Sequence, residues 1–329
     1  MLNKYHKEDI SKSKFLVTGG AGFIGSHISE YLVKFGAQKV IVLDNLSNGS
    51  KSNIEDLETY KNFEFVEGDI VNEGLCNDLV KDVHYVCHQA ALGSVPRSIN
   101  NPISSNEANV NGFLNIIHAS HKSKSVKQFV YASSSSVYGD SKELPKIEGK
   151  EGKVLSPYAL TKSINEQYAN IFHQVYGFKS VGLRYFNVFG PKQNPNNPYA
   201  AVIPIFCKMI LNSKKPTING DKKISRDFTY VENVVQANIL SLLQNNKGQH
   251  NIYNVACGKQ IELERVIELI QKIMDKKIGF NIGPPRPGDI LHSNADISKI
   301  QNELRYEPLI EFEQGLRKTI EWIKSSKQP

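Results

Sequence analysis

A glycine-rich turn stands between a short apolar run and a helix-length segment near the start of the chain. The run Lys14–Thr18 (KFLVT) leads into Gly19, Gly22 and Gly25, spaced as GxxGxxG, and a predicted helix over residues 23–35 follows. Because glycine has no side chain, such a turn lets the backbone approach a pyrophosphate, whose negative charge then lies at the positive helix N-terminus. A strand before the glycines and a helix after them distinguish a dinucleotide-binding turn from a common glycine-rich loop.

The first half of the chain alternates between apolar runs and helix-length segments. The predicted strands are Lys14–Thr18, Lys39–Asp44, 63–66, 84–88, 128–132 and Ser180–Tyr185, and the predicted helices are 23–35, 102–120 and Pro157–Tyr176. Strands that alternate with helices indicate βαβ units and a parallel sheet covered on both faces. The sequence therefore predicts an α/β fold of the Rossmann type, with a doubly wound parallel sheet.

The regular alternation of apolar runs and helix-length segments ends near residue 190. The stretch 191–204 (PKQNPNNPYAAVIP) is rich in proline and asparagine and is not expected to form a regular element, and three prolines mark a second irregular loop at residues 284–287. We predict an NAD-binding Rossmann domain over residues 1–189 and a smaller mixed α/β C-terminal substrate lobe over residues 190–329. The boundary is soft, because chains of this type weave between lobes.

Composition narrows the classes of function. No apolar run approaches the ~20 residues needed to cross a bilayer, and the first 14 residues are polar, which predicts a cytoplasmic protein with no membrane partner. The formal charge is +7, but the lysines are dispersed rather than interleaved with aromatic residues. A diphosphate ligand accounts for this charge better than a nucleic acid does. The four cysteines lack the spacing of a zinc site, which favours free thiols and no metal.

An acidic residue ends the second predicted strand. Asp44 lies nineteen residues after Gly25, where a carboxylate accepts hydrogen bonds from an adenosine ribose and repels a 2′-phosphate. This position favours NAD over NADP, although a turn-forming aspartate in DNLSNG is the plainer alternative. A further contact, with the adenine, is expected at Asp69 and Ile70, where the next strand ends.

A tyrosine and a lysine four residues apart begin the predicted helix Pro157–Tyr176. Tyr158 and Lys162 share one helical face. The pKa of free tyrosine is near ~10, and we expect the lysine cation and a positive nicotinamide ring to lower it. Tyr158 then exchanges a proton with a substrate hydroxyl. Such a pair is common by chance, but the serine run 133–136 follows a predicted strand, at the edge where open α/β sheets bind ligands.

Taken in this order, the glycine motif, the acidic residue, the serine run and YALTK resemble the extended short-chain dehydrogenases/reductases over nearly the whole chain. Within that superfamily the chain is most similar to the UDP-sugar 4-epimerases. The resemblance implies a catalytic triad of Ser134, Tyr158 and Lys162, with Ser134 selected among four serines by its spacing to Tyr158. It also implies a homodimer with a four-helix interface, formed by the helices 102–120 and Pro157–Tyr176.

The resemblance assigns further residues to the cofactor and the substrate. Those implied on the cofactor side are Gly19, Gly22, Phe23, Ile24, Gly25, Asp44, Asn45, Asp69, Ile70, Gln89, Ala90, Ala91, Asn109, Tyr158, Lys162 and Tyr185. Those implied on the substrate side are Ser94, Ser134, Ser135, Ser136, Tyr158, Asn187, Ala201, Val202, Arg226, Arg286, Asp289 and Ser293. The arginines suit a diphosphate because the planar guanidinium binds phosphate oxygens in pairs.

Residues 135 and 136 bear on the reaction. Related dehydratases carry an Asp-Glu pair directly after the serine or threonine, and related decarboxylases usually carry a glutamate before Val-Tyr-Gly, whereas this chain has Ser135 and Ser136. Epimerisation needs neither carboxylate. By resemblance, Tyr158 takes the 4-hydroxyl proton, hydride passes to NAD, the 4-keto sugar turns over, and hydride returns to its other face.

The sugar is predicted from one position and two motifs. In glucose/galactose epimerases a bulky tyrosine closes the pocket where this chain has Ser293, so an acetamido group fits and UDP-N-acetylglucosamine is expected. The segments LGSVPRS and NPNNPYAAVIP also resemble N-acetylhexosamine epimerases. The alternatives are a UDP-glucuronate or UDP-glucose 4-epimerase, a non-epimerising NAD-dependent oxidoreductase, and an NAD-binding regulator without activity. Glycan or lipopolysaccharide precursor supply is the expected pathway.

Overall fold

The computed structural model describes residues 3–194, 201–243, 250–285 and 291–325. The strands are β1 (Lys14–Thr18), β2 (Lys39–Asp44), β3 (Phe63–Glu67), β4 (Tyr85–His88), β5 (Gln128–Ser134), β6 (Ser180–Tyr185), β7 (Val188–Phe189), β8 (Thr217–Asn219), β9 (Ser225–Arg226), β10 (Thr229–Tyr230), β11 (His250–Val255), β12 (Ile261–Glu262) and β13 (Asn281–Gly283). The helices are α1 (Phe23–Lys34), α2 (Glu73–Leu79), α3 (Val95–Asn100), α4 (Pro102–Asn106), α5 (Gly112–Lys122), α6 (Pro157–Tyr176), α7 (Val202–Leu211), α8 (Val231–Leu243), α9 (Leu263–Met274), α10 (Ser298–Leu304) and α11 (Phe312–Ser325).

Seven parallel strands form the central sheet, in the order β11-β6-β5-β4-β1-β2-β3. The strand order reverses between β1 and β4, and open sheets of this kind bind ligands at the carboxyl ends of the strands beside that reversal. The predicted Rossmann-type α/β fold is confirmed.

Both faces of the sheet are covered by helices. Phe15 and Val17 of β1 pack in a core shared with α1 and α8, while Leu16 between them points to a core shared with α5 and α6. All three side chains are fully buried, because side chains alternate between the two faces of a strand and each face here meets a helical layer. The continuous apolar runs read from the sequence follow from this double burial.

A smaller lobe packs around α7, α9 and α11, with Phe206, Ile267 and Leu316 among its buried residues. It carries three short strand pairs, β7 with β10, β8 with β13 and β9 with β12. The chain does not stay in this lobe after residue 190, since β11 returns to pair with β6 and α8 packs on α1. The expectation that residues 191–204 form no regular element is wrong at its end, because α7 begins at Val202.

Two predicted elements differ from the structure in instructive ways. The predicted helix 102–120 is α4 and α5 joined by a π-helical segment over Glu107–Asn111. Strand β5 runs two residues beyond its predicted end, so Ser133 and Ser134 belong to the sheet.

Helix α6 has its predicted bounds, since Ser156 caps its start and Gly177 ends it in a left-handed conformation at φ 65°. None of the helices in the described ranges has the length and apolarity to cross a membrane.

Candidate functional site

A cavity of about 820 Å³ opens along the carboxyl ends of β1, β2, β4 and β5. Its lining includes, of the residues predicted on the cofactor side, Gly19, Gly22, Phe23, Ile24, Gly25, Asp44, Asn45, Asp69, Ile70, Gln89, Ala90, Ala91, Tyr158, Lys162 and Tyr185. Cavities of several hundred Å³ at the carboxyl edge of such a sheet are the usual cofactor sites of this architecture.

The glycine turn is packed so closely that side chains do not fit at two of its three key positions. Gly19 has a φ of +68°, and an added Cβ would lie 2.6 Å from the backbone nitrogen of Ala90. At Gly25 the added Cβ would overlap the carbonyl oxygen of Gly19. Gly22 caps α1 without a side-chain hydrogen bond, and the first turn of α1 has no acidic residue. Because Gly22 and the first turn of α1 line the cavity, the N-terminus of this helix lies where a pyrophosphate site requires it.

The carboxylate of Asp44 is fixed at the end of β2. One oxygen accepts a hydrogen bond from the backbone nitrogen of Ala21 at 3.0 Å and the other from that of Leu46 at 2.8 Å. Burial raises the pKa of Asp44, and these backbone donors offset part of that effect. Nearby, Asn45 donates to Asp69 across 2.6 Å. This buried, oriented carboxylate lies in the cavity wall, and its contact with an adenosine ribose stays a prediction.

Asn109 differs from the other predicted cofactor residues. Its side chain bonds to the backbone of Leu92 in both directions, accepting at 2.7 Å and donating at 3.2 Å, and it also donates to Thr161. Leu92 lines the cavity and Asn109 does not. Asn109 therefore shapes the loop that forms the cavity wall.

Tyr158 and Lys162 both line the cavity from α6. The ammonium of Lys162 donates to the carbonyl oxygen of Ala132 at 2.8 Å, and burial lowers the pKa of Lys162 to about 8 while Glu166 opposes that change. For Tyr158 the structure differs from the sequence expectation. Burial raises the pKa of its phenol, and the hydroxyl of Ser134, rather than Lys162, is the group that lowers it. The expected effect of Lys162 on this phenol is therefore not seen, and burial dominates the pKa of Tyr158.

The serine run divides into three different roles. Ser133 lines the cavity and donates to Glu166 at 2.6 Å. Ser134 begins a short 3-10 turn and accepts hydrogen bonds from the backbone nitrogen and the hydroxyl of Ser136. Ser135 and Ser136 lie in that turn, Ser135–Tyr138. The hydroxyl of Ser134 is thus oriented by its own loop while it contacts Tyr158.

A second cavity, of about 270 Å³, lies in the smaller lobe. It is lined by four of the predicted substrate residues, Asn187, Ala201, Val202 and Arg226. Ala201 lines the larger cavity as well. The guanidinium of Arg226 donates to the carbonyl oxygens of Ser225 and Leu291. A cation and an amide beside apolar walls suit a nucleoside diphosphate.

The remaining predicted substrate residues lie elsewhere. Ser94 caps α3 by accepting from Arg97 at 3.2 Å, next to Gly93 in the cavity wall. Ser293 is buried, with its backbone nitrogen bonded to Ser225, and neither described cavity has it in its lining. Arg286 and Asp289 lie outside the described residues.

Three polar residues in or beside this site, Asn238, Lys192 and Glu166, are marked by no motif in the sequence. Asn238 of α8 and Gln89 bond to the hydroxyl of Tyr185 at 2.9–3.1 Å, in the cavity wall. Lys192 reaches from the segment after β7 to the backbone oxygen of Asn53 at 2.9 Å. Glu166, one turn after Lys162, is the third. A buried asparagine in an apolar helix is the one local signal that would have marked Asn238.

The comparisons with known proteins agree with this geometry. A profile of the NAD dependent epimerase/dehydratase family matches residues 15–256. The UDP-N-acetylglucosamine 4-epimerase of Methanobrevibacter ruminantium M1, solved in complex with UDP-N-acetylmuramic acid, is 40% identical with a TM-score of 0.90, over 95% of this chain and 99% of that one.

Two other relatives act on a different sugar. The UDP-glucuronic acid 4-epimerase of Bacillus cereus, solved with UDP-glucuronic acid and NAD, is 31% identical with a TM-score of 0.88, over 94% of this chain and 99% of that one. The UDP-glucuronate 4-epimerase of Thermodesulfobacterium geofontis is 33% identical over 95% of this chain and 96% of its own length. The family match spans most of the Rossmann lobe and its cofactor cavity, and NAD is the cofactor to which that cavity corresponds. This chain belongs to the NAD-dependent epimerase/dehydratase family, within the extended short-chain dehydrogenases/reductases.

Proposed function

We propose that this protein is an NAD-dependent 4-epimerase that interconverts UDP-N-acetylglucosamine and UDP-N-acetylgalactosamine. The observation that carries the proposal is the pairing of Tyr158 and Lys162 in the wall of the cofactor cavity, with serines rather than carboxylates at positions 135 and 136. Without an acid and a base at those positions, the chain has no group there to eliminate water.

The protein's own residues account for the proton transfers. Bound NAD supplies reversible hydride transfer at one sugar carbon. Tyr158 takes the proton of the 4-hydroxyl group and returns it after the 4-keto sugar has turned over, while Ser134 donates to the reacting oxygen. Burial disfavours the phenolate and the hydroxyl of Ser134 opposes that effect; in the proposed mechanism the cation of Lys162, one turn along the same helix, adds to the stabilisation of the phenolate. Arg226 and Asn187 hold the nucleotide diphosphate in the smaller lobe.

The choice of an N-acetylated sugar has two supports. One is the 40% identity to an enzyme named as a UDP-N-acetylglucosamine 4-epimerase. The other rests on the resemblance alone: Ser293 stands where glucose epimerases have a bulky tyrosine, whereas in this structure its side chain is buried and lines neither described cavity. The second candidate is UDP-glucuronate, because two relatives above 30% identity are named for that sugar.

A proton NMR time course separates these substrates. Purified protein is incubated separately with UDP-N-acetylglucosamine, UDP-glucose and UDP-glucuronate, without added reductant. We expect rapid formation of UDP-N-acetylgalactosamine and little change in the other two. Preferential conversion of UDP-glucuronate would overturn the sugar and keep the reaction. Net formation of NADH would overturn epimerisation itself.

Replacement of Tyr158 tests the mechanism. Tyr158→Phe removes the proton acceptor and leaves the ring, so turnover should fall by a factor of ~10²–10⁴, while affinity for the UDP-sugar stays within about threefold. Tyr176→Phe, at the far end of the same helix, is the matched control and should turn over like the wild type. Full turnover by the Tyr158 variant would refute the assigned role.

We also propose a homodimer. Helices α3, α4 and α6 expose apolar side chains on the surface, including Ile103 at 79% and Val175 at 63% of their full areas. Leu160 and Ile171 of α6 are half exposed. A second copy of this chain would cover these residues by packing the same helices together. Light scattering should report twice the mass of the 36.9 kDa chain. The double variant Ile103→Glu and Val175→Glu should be a monomer. A monomeric wild type would contradict the proposal.

A cytoplasmic location and glycan precursor supply remain predictions.

A further inference from the structure

A cluster of buried charges lies directly behind the catalytic lysine. Glu166 is on α6 one turn after Lys162, and its side chain is only 9% exposed. Arg184 of β6 donates to that carboxylate from two nitrogens, at 2.9 Å and 2.7 Å, and the side chain of Arg184 is 4% exposed. Such a bidentate pair fixes the position of both side chains. A second carboxylate, Glu151, contacts the remaining guanidinium nitrogen of Arg184.

The same carboxylate is bonded to the end of β5. The hydroxyl of Ser133 donates to Glu166 at 2.6 Å. Ser133 lies opposite Arg184 in the register of β5 with β6, and Ser134 lies opposite Tyr185. Glu166 therefore ties α6, β5 and β6 together at the residue that precedes Ser134. A shift of this strand end would move both the Ser134 hydroxyl and the Ala132 carbonyl that receives the lysine's hydrogen bond.

The two carboxylates bonded to Arg184 differ in exposure. The side chain of Glu166 is 9% exposed and that of Glu151 is 30% exposed, so solvent screens Glu151 more strongly. Loss of the Glu166 charge would leave the cations Lys162 and Arg184 in a desolvated interior without their most buried counter-ion, which is costly. The anion of Glu166 therefore favours the ammonium form of Lys162. Burial alone acts in the opposite direction and lowers the pKa of Lys162, while Glu166 raises it.

Other ionisable groups face this cluster and do not replace Glu166. From β4, His88 lies near Lys162, and burial lowers the pKa of His88 to about 3, so its ring is neutral at ordinary pH. From β5, Tyr131 lies near Glu166 and Arg184, and burial raises the pKa of Tyr131 well above its usual range. Tyr138 stacks on the guanidinium of Arg184 at 4.8 Å, and burial raises the pKa of Tyr138 above its usual range. Glu148 lies near Arg184 as well, and burial raises the pKa of its carboxyl. The phenol of Tyr158 is the proton acceptor itself. Glu166 is thus the anion that acts on the lysine among these neighbours.

We infer that Glu166 is a positioning residue of the catalytic site: its carboxylate fixes the strand end that carries Ser134 and keeps Lys162 in its ammonium form. Glu166 touches neither cavity and takes no part in proton transfer. This inference rests on the catalytic role proposed for Tyr158 and Lys162. Its consequence is that the pH range of turnover depends on a residue outside the cofactor and substrate sites.

The experiment compares pH profiles of charge variants, using holoenzyme. Glu166→Gln keeps the size of the side chain and removes its charge, so the alkaline limb of kcat should move down by about one pH unit. Glu166→Asp keeps the charge and should restore most of the limb. Arg184→Gln removes the cation that shares this carboxylate and should move the limb upward. The matched control is Glu232→Gln in α8, whose partner is Lys318 at 2.7 Å; it should leave the profile unchanged.

A direct titration makes the result independent of turnover and of any one variant. Protein labelled with ¹³C at the lysine ε carbon gives a Lys162 resonance, assigned by its loss in Lys162→Met. Its midpoint should fall in Glu166→Gln and rise in Arg184→Gln, and a folded sample of either variant is sufficient. Unchanged midpoints, or loss of kcat by the same factor at every pH, would overturn the inference. Absence of epimerisation by the wild type would overturn the proposed function instead, whatever the lysine midpoints.

Discussion

Replacement of Gly25 by alanine tests how tightly the cofactor turn is packed. In an ordinary helix interior this change stabilises by up to about 1 kcal/mol, because alanine is the better helix former. In this structure the added Cβ would overlap the carbonyl oxygen of Gly19 and lie 2.8 Å from the Cα of Gly20, whereas ordinary contacts begin at 3.4 Å. All of these neighbours are backbone atoms, which cannot rotate away as a flexible side chain does.

The overlap should therefore outweigh the gain in helix propensity. Inserting a methyl group into a well-packed region costs typically ~1–3 kcal/mol, and rigid backbone neighbours favour the upper end of that range. We expect Gly25→Ala to lower the free energy of unfolding by about 2 kcal/mol net. Because relief of the overlap has to move the Gly19 turn away from α1, NAD affinity should also fall by at least about tenfold, equivalent to ~1.4 kcal/mol.

Two assays and one control separate these effects. Thermal unfolding with and without NAD measures stability, and a fluorescence titration measures NAD affinity. The control is Gly74→Ala in α2, where the nearest atom to the added Cβ, in Asn72, lies at 3.4 Å; this variant should match or exceed wild-type stability and bind NAD normally. If Gly25→Ala behaves like the control in both assays, the tight packing of the turn, and with it the pyrophosphate site, is refuted.

Two further predictions concern the smaller lobe and its link to the cofactor cavity. Burial raises the pKa of Asp227 from 3.8 to about 6, so the folded state holds this proton more tightly, and stability of up to about 3 kcal/mol should be lost as pH rises from about 4 through 6. Asp227→Asn should remove that pH dependence in thermal unfolding, and parallel curves for the two proteins would contradict it. Lys192 lines the cofactor cavity and contacts Glu30 of α1 at 3.3 Å and the backbone of Asn53. Lys192→Ala should release NAD faster in a stopped-flow displacement assay, and Lys34→Ala, which removes the other cation bonded to Glu30, should not; equal release rates would refute the contact's role.

Sequence patterns predicted the structure correctly where residues close to one another in the chain determine it. Helix α6 is bounded by Ser156 and Gly177, residues that cap helix ends in any context. Strands β1, β2 and β6 also have their predicted bounds, because short apolar runs between turns are buried on both faces of a parallel sheet. The same reasoning located most of the cofactor cavity, since the carboxyl ends of adjacent parallel strands meet at one edge.

Contacts between residues far apart in the sequence could not be predicted from such local patterns. Strand β11 pairs with β6 after a detour of 64 residues between Tyr185 and His250 through the smaller lobe, and no local pattern records its partner. Asn109 was assigned to the cofactor although its side chain holds the Leu92 backbone, because a motif gives the residue and not the direction of its side chain. The raised pKa of Tyr158 depends on burial, which only the assembled site determines.

The short connection from β6 to β7 joins the walls of the two cavities. Tyr185 ends β6 in the wall of the cofactor cavity, and Asn187, at a φ of 33°, begins the lining of the second cavity. Two residues of extended chain span at most about 7 Å, so covalent geometry limits how far the two cavities can move apart. Most of the remaining lining of the second cavity comes from β7, α7, β8, β9 and α9, elements that do not contribute to the central sheet. With the nucleotide diphosphate in the second cavity, as proposed, this connection also limits the distance between that group and the cofactor. The complexes solved for relatives named for N-acetylated and uronic acid sugars contain UDP in both cases, so we expect the choice of sugar to depend on residues outside this connection.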